Sequence, residues 1–582
     1  MGIKELAEAD LRPTEFEERR GITRISVELG YVQVHISRIP AESLDQERFT
    51  VLSLIAGVGI NMRFPKLTPS GLLFLVREEN ACLLNKCLER WGKHSSIKTR
   101  RCIVSVHAAS MREDDGLIAR IAGEALASGV HIDLVSDTHD QTMLVVDESD
   151  ATPLLGRLNT LMGGPSLRVH PHKCLRGRRI KVIKFGGTSM ETAEARKRAA
   201  EIVVSAISEG FLPVVVVSAI GRKGLPYATD TLIGQLEEVD PTTPPAPREL
   251  DLMLACGEIF SAVIFAHTLT AMGYSAHAFR GDQAGIETDG EFGRARIIGI
   301  HPSHVSKALR AGTIPVVCGF QGAAKGEVTT LGRGGSDTTA SAMGAALGAD
   351  AVEIYTDVDG VMNADPRLVR EAETLRQTTY DEVAAMAHLG AKVVHPRAAE
   401  IAMSYETPLW VKNTFSKDPG TEIVPETRFP GRRRTGVTHT GKLVYFQLDL
   451  SDVDSAERAA VSALIYRRLG EFGINVFMVN LSPTSTGFAV PASNILLVNG
   501  LLAGLGQRTN FRVAVRVCCT MVSLVGREYI ETPGLLNRCL DALSELNVDV
   551  FQTSDGDRSL SYLVPEEHGA VAVECLFQVH KS

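Results

Sequence analysis

Lys184-Phe185-Gly186-Gly187-Thr188-Ser189 sets a lysine ahead of a glycine pair, directly after the β-branched run Ile180 to Phe185 and before a helical pattern. Glycines at a strand-to-helix turn let backbone amides approach an anion closely, and the lysine adds a full positive charge. Phosphoryl transfer is largely a matter of positioning and charge neutralisation, and Lys184 stands where it could face a transferring group. Taken alone, the same glycines also read as an ordinary turn.

A second glycine-rich element, Leu331-Gly332-Arg333-Gly334-Gly335-Ser336-Asp337, leads into the Ala-rich helical stretch Thr338 to Leu347. Helix N-termini attract anions, and a guanidinium in a glycine frame can grip a carboxylate or phosphate through two parallel bonds. Asp337 reads either as a helix N-cap or as a working carboxylate. Thr356-Asp357-Val358-Asp359-Gly360 and Ala364-Asp365-Pro366-Arg367 follow the run Ala351 to Thr356, at the carboxyl edge where open α/β sheets bind ligands. Plain turns use Asp-Gly and Asp-Pro equally well. The Walker A spacing and the Gly-x-Gly-x-x-Gly dinucleotide fingerprint are both missing.

These motifs need a sheet to carry them. Between Ile180 and Pro425, the runs Ile180 to Phe185, Pro213 to Ser218, Ile314 to Cys318 and Ala351 to Thr356 alternate with Ala-rich helical patterns, which predicts a mostly parallel sheet with helices on both faces. The two ends of the chain repeat one another. Gly59-Ile60-Asn61 followed by Leu67-Thr68-Pro69 matches Gly473-Ile474-Asn475 followed by Leu481-Ser482-Pro483, each after a helical pattern. In the later copy Val461, Leu464, Ile465 and Leu469 fall on one helix face. Likewise, Ile118, Ile121, Ala122 and Ala125 lead to Ser136-Asp137, as Leu536, Cys539, Leu540 and Leu543 lead to Ser554-Asp555. Each unit reads as the ferredoxin-like βαββαβ pattern, two units at each end. The expected fold class is thus α/β, with a central mostly parallel sheet and ferredoxin-like units at both ends. The expected division is 1–165 tandem units, 166–179 linker, 180–427 catalytic domain, 428–440 linker and 441–582 tandem units. His170, His172 and Cys174 fall in the first linker and lack a fourth zinc ligand, and Arg432 to Arg434 read as solvated linker.

At 582 residues the chain holds several domains, since one domain usually takes about 100–200 residues. With 44% hydrophobic residues, 22% charged residues and a net charge of -8, it supports folded cores and shows no chain-wide attraction to nucleic acid or anionic membrane. Its ten cysteines are dispersed, so reduced thiols are expected. The longest apolar run, around Phe211 to Ile220, is shorter than the ~20 residues of a membrane span, and a cytoplasmic location without a membrane segment is expected.

The central region closely resembles the aspartate kinases of the amino-acid kinase superfamily, through Lys184 to Ser189, Ser218 with Thr229-Asp230, Gly257-Glu258, Gly332 to Asp337, and Thr356 through Arg367 to Lys392. The stretch Val216 to Asp230 is most similar to the diaminopimelate-sensitive type of Gram-positive bacteria, and the C-terminal units resemble that family's tandem ACT regulatory domains. The N-terminal units depart from the family layout, and their likeness to the C-terminal ones suggests a further ACT-like pair. The resemblance implies transfer of the ATP γ-phosphoryl group to the side-chain carboxylate of L-aspartate, with Mg2+. It implies catalytic roles for Lys184 and Asp337, and substrate contacts from Ser218, Thr229, Asp230, Glu258, Arg333 and Ser336. For ATP it implies Lys184, Phe185, Gly186, Gly187, Thr356, Asp357, Met362, Asp365, Arg367 and Lys392; no protein residue is assigned to a metal.

Feedback by meso-diaminopimelate, lysine or threonine is expected through Asn475, Val476, Asn480 and Ser482, in a homodimer or larger assembly joined by ACT domains. Two alternatives are a kinase for another amino acid, such as glutamate or acetylglutamate, and an amino-acid sensor carrying a vestigial kinase. The set of catalytic residues has no gap, so an active enzyme is expected.

Overall fold

The computed structural model describes residues 16–17, 21–68, 71–92, 94–108, 111, 116–138, 141–162, 178–221, 224–241, 243–391, 393–428, 434–454, 457–482, 484–506, 509–526, 532, 534–556 and 558–581. His170, His172, Cys174, Arg432, Arg433 and Lys392 lie outside these residues.

The central sheet has eight strands in the spatial order Gln377–Thr379, Thr421–Val424, Leu409–Asn413, Ala351–Thr356, Ile180–Phe185, Leu212–Val217, Ile314–Cys318 and Ala276–Phe279. All neighbours run parallel except Leu409–Asn413 and Thr421–Val424. The β-branched runs are explained by burial on both faces. Val182, Val214, Val216 and Ile354 pack towards the helix Gly335–Leu347. Ile183, Val215, Val217 and Tyr355 pack towards the helices Ala193–Ser208 and Pro247–Ala271. A small second sheet, Ile297–Ile300, Ile286–Thr288, Gln321–Ala324 and Glu327–Thr330, lies beside the second glycine loop.

The helix Pro247–Ala271 corrects the reading of apolar runs: with 25 residues and a hydropathy of 1.7 it is long and apolar enough to cross a membrane by length and composition. Here half of that stretch is buried, and it carries Asp251 and Glu258 inside the central domain. Asp251, Gly257, Glu258, Ser261 and His267 interrupt it, which hides it from a search for unbroken apolar runs.

Each end of the chain forms a six-stranded sheet of identical plan. The N-terminal order is Arg63–Thr68, Gly71–Arg77, Ile22–Ile36, Ser95–Ala108, Gln141–Asp147, Leu134–Asp137. The C-terminal order is Phe477–Ser482, Ser485–Pro491, Gly436–Asp449, Arg512–Val525, Ser559–Pro565, Gln552–Gly556. In both, the two long central strands pair along their whole length across a register shift, so each serves one unit with its first half and the other with its second. Two four-stranded units are therefore built from six strands, with no separate fourth strand in either. The strand Gly436–Asp449 begins inside the stretch expected to be linker.

The two sheets meet edge to edge around a pseudo-two-fold axis. Asp137 accepts hydrogen bonds from the amides of Met478 and Val479 at 3.2 and 2.8 Å, and Asp555 accepts one from the amide of Phe64 at 2.7 Å. Ser136 and Ser554 bond to each other across the axis at 3.2 Å. Phe64 and Met478 occupy corresponding positions, and both hold positive φ, 55° and 52°. The helices Leu117–Ala127 and Arg458–Glu471 also pack together, Ala463 and Arg467 lying beside Gly123, while Tyr466 turns to Phe488 of the sheet and Leu464, expected on the inner face, is 37% exposed.

Candidate active site

The sheet's carboxyl edge gathers the chemistry. Lys184 is the penultimate residue of its strand, and its Nζ lies 2.6 Å from Asp337 Oδ1. Asp337 sits in the first turn of Gly335–Leu347, whose N-cap is Gly334 with no side-chain cap, so Asp337 holds the lysine and does not cap the helix. The pair is mostly buried, where a charge-assisted bond is strong. Lys184 is therefore not on the far side of the fold from Arg333, since the helix that supplies its partner is the one the Arg333 loop leads into.

The glycine turn closes the floor. Gly186 N donates to Tyr355 O at 3.2 Å, and Gly221 N donates to Gly187 O at 3.1 Å. A Cβ on Gly187 would stand 2.9 Å from both Ala219 O and Gly221 O, so this close approach of two loops requires glycine. Phe185 is a correction to the expected ATP set: its ring is wholly buried against Phe265 and Tyr355, because it points into the helical layer below the sheet.

Glu258 reaches the same edge from inside the helix Pro247–Ala271. One oxygen accepts from Ala219 N at 3.0 Å; the other, Oε2, is buried with no hydrogen-bond partner among the described residues. Burial pushes this carboxyl up to about 8. Ser218 continues from the neighbouring strand, its amide donating to Phe185 O at 3.1 Å. Ser336 is buried, whereas Thr229 and Asp230 open the helix Thr229–Glu237 at the surface. Arg333 is exposed, and its side chain forms no ion pair or hydrogen bond among the described residues. Of the residues expected at the nucleotide, Thr356 ends its strand beside Lys184's strand and donates to Asp357 at 3.2 Å. Asp365 and Arg367 grip one another at 2.7 and 3.0 Å, with Arg367 85% exposed. Met362 and Asp365 lie in the loop whose Asn363 O accepts from Val437 N at 2.8 Å, next to the C-terminal sheet.

Several residues that position the site escaped sequence reasoning. Asp251, fully buried, accepts from Gly293 N, Thr330 N and Thr330 Oγ1 at 2.7–3.0 Å, fixing the start of the Arg333 loop. Arg397 donates to Leu331 O and to Ala295 O, the latter at 3.0 Å. The His395 ring fills the space beside Gly334, whose φ of +67° suits glycine. Burial holds His395 down to about 4, hence neutral near pH 7. Glu-Leu-Asp-Leu at 249–252 and His-Pro-Arg at 395–397 carry no local signal beyond helix formation.

Two family models match the chain: the amino acid kinase family over residues 179–413 and the ACT domain over residues 522–579. Aspartokinase 1 of Bacillus subtilis is 38% identical over 408 residues, which cover 69% of this chain and 98% of the relative. The chain belongs to the aspartokinase family. Escherichia coli aspartokinase III solved with aspartate and ADP is 25% identical, with TM-score 0.59, over 69% of this chain and all of that one (100%). The same E. coli enzyme with lysine and aspartate gives 24% and TM-score 0.54, over 69% and 99%. This aspartokinase is an enzyme that phosphorylates the side-chain carboxylate of aspartate at the expense of ATP, the entry to the biosynthesis of lysine, threonine, methionine and diaminopimelate, under feedback through ACT regulation. Lys184 with Asp337, Glu258 through Ala219 and Ser336 beside Gly319 all stand at the carboxyl ends of the central strands, the edge where such folds bind ligands.

Proposed function

We propose that Lys184 neutralises the transferring phosphoryl group while Asp337 fixes its ammonium in place. The observation that carries this reading is the 2.6 Å Lys184–Asp337 pair at the mouth of the Gly186-Gly187 turn. Backbone amides there hold phosphate oxygens, in keeping with catalysis by fixed charge. The buried, unpartnered Glu258 oxygen suits the substrate ammonium, and the open Arg333 suits the α-carboxylate. Two fixed charges of opposite sign leave the aspartate side chain aimed at ATP. Ser218, Thr229, Asp230 and Ser336 complete the pocket; Thr356, Asp357, Met362, Asp365, Arg367 and Lys392 serve the nucleotide. Arg367 must first leave Asp365 to do so. Mg2+ would enter with the nucleotide, held by phosphate oxygens and water. Lys184→Met is expected to remove turnover, about a thousandfold or more, with aspartate binding kept. A hydroxamate assay with aspartate, glutamate and acetylglutamate checks both the residue and the substrate; equal rates with glutamate would overturn the assignment.

Regulation belongs to the two ends, and the N-terminal sheet acts as a second ACT-like pair because it repeats the C-terminal plan strand for strand. An amino-acid effector fits the cleft of about 890 Å³ between the halves, lined by Gln46, Arg48, Asn480, Arg516, Asn537 and Asp541. Of the expected effector residues, Asn480 lines it. Asn475 is half-buried and accepts from Gly116 N at 3.0 Å through Oδ1, while Val476 is wholly buried in the core. The edges that would complete sheets across subunits meet within one chain. The location is the cytoplasm, where the expected substrates are.

A further inference from the structure

We infer that Phe16 and Glu17, in the segment ahead of the N-terminal sheet, are positioning residues of the kinase: they complete a buried arginine clamp beneath the loop that presents Arg333.

The segment is built into the catalytic domain. Phe16 N and Glu17 N donate to Ile298 O and Ile297 O at 3.2 and 3.1 Å, which fastens the segment to the edge strand of the small sheet. The Phe16 ring stacks on Tyr405 with centroids 4.8 Å apart, and Tyr405 Oη donates to Phe16 O at 2.8 Å. Glu17 is buried and receives Arg397 through two parallel bonds, Nε to Oε1 at 2.6 Å and Nη2 to Oε2 at 2.9 Å. Glu17 Oε2 also accepts from Ile297 N at 3.0 Å.

Arg397 is the link to the substrate loop. The guanidinium that Glu17 neutralises also donates to Leu331 O, two residues before Arg333, and to Ala295 O. Those two chains touch: Ala295 N donates to Thr330 O at 2.8 Å, and Gly332 packs against Gly293 and Arg294. A buried guanidinium stays in one geometry only while its charge is matched. Without Glu17, Arg397 has to turn towards water or another acid, and the Leu331 and Ala295 carbonyls lose their donor. The Arg333 loop then loses a buried side-chain anchor and keeps that of Asp251. Glu17 and Arg397 lie 380 positions apart in sequence, so the segment joins the regulatory N-terminal part of the chain to aspartate binding. Because such coupling is reciprocal, bound aspartate also tightens the segment.

The inference rests on the reading that Arg333 holds the substrate. Full-length Glu17→Gln keeps the side-chain shape and removes the charge. It is expected to raise KM for aspartate about tenfold to a hundredfold, the worth of a charged hydrogen bond, with KM for ATP unchanged. Tyr405→Phe, which removes one bond to Phe16, should shift KM in the same direction by less, and Glu17→Asp should restore part of the loss. Hydrogen exchange at the amides of 332–335 should rise in Glu17→Gln whether or not the enzyme uses aspartate, which separates this inference from the substrate assignment. Unchanged exchange there, or equal losses with both substrates together with a matching fall in Tm, would overturn it.

Discussion

Glu258 is an acid denied the water that would let it ionise. The folded carboxyl keeps its proton up to about pH 8, whereas an exposed glutamate releases it near 4.5. The folded state therefore binds the extra proton across that window, and this group's contribution to stability falls as pH rises from 4.5 to about 8. A substrate ammonium beside Oε2 reverses the balance, because opposite charge favours the ionised form. Aspartate binding near pH 7 is thus expected to release about one proton from this group. Calorimetry in buffers of different ionisation enthalpy reads that release, and KM for aspartate should fall as pH climbs towards 8. Glu258→Gln should abolish both effects; a proton count that does not change in the variant would exclude Glu258 as the ammonium site. The family resemblance nominated Glu258 for the substrate, but its burial was not legible in the sequence, since that comes from the neighbouring strand end and Ala219.

At the scale of elements, two loops and one seam carry the load. Gly334 combines a φ of +67° with the His395 ring packed where a Cβ would stand. Gly334→Ala adds about 1–2 kcal/mol of backbone cost and a collision that displaces the Arg333 loop. A higher KM for aspartate with a modest drop in Tm is the expected result. At the seam, Asp137→Ala strips two buried amides, Met478 N and Val479 N, of their acceptor. Each loss costs about 1–3 kcal/mol, so exchange protection at 478 and 479 should collapse while turnover without effector persists. Unaltered protection there would mean that the two sheets do not lean on this contact. The strands themselves were readable in advance: Ile180–Phe185, Ile314–Cys318 and Ala351–Thr356 fall where the β-branched runs placed them. Helix contacts were harder, as Leu464 shows, because a second helix competes for the face that periodicity assigns to the sheet.

For the whole molecule, the isologous meeting of two like sheets is the geometry of a symmetric dimer, accomplished within one chain. The seam is buried deeply enough to enclose Lys66, whose ammonium donates to Val479 O and Thr553 O at 3.4 and 3.3 Å. Desolvation pulls that lysine down, with Asp137 and Asp555 opposing. Removing residues 1–177 bares the edges Phe477–Ser482 and Gln552–Gly556, and exposed strand edges invite self-association. Light scattering should find the truncated chain associating more than the full chain, with KM for aspartate raised through loss of Glu17. A truncated chain that neither associates nor loses aspartate affinity would break the picture at both points.

The sequence by itself determined the parallel sheet, the repeat at the two ends, and the glycine motifs with Lys184, Arg333 and Asp337, since each rests on spacing within a few residues. The ion pair of Lys184 with Asp337, the solvent-starved Glu258 and the hold of Asp251, Arg397 and Glu17 on the loop that carries Arg333 arise only in the folded chain. So does the pairing of the repeated ends with each other. These depend on groups brought together across hundreds of residues, where desolvation and charge matching act through space and leave no period along the chain.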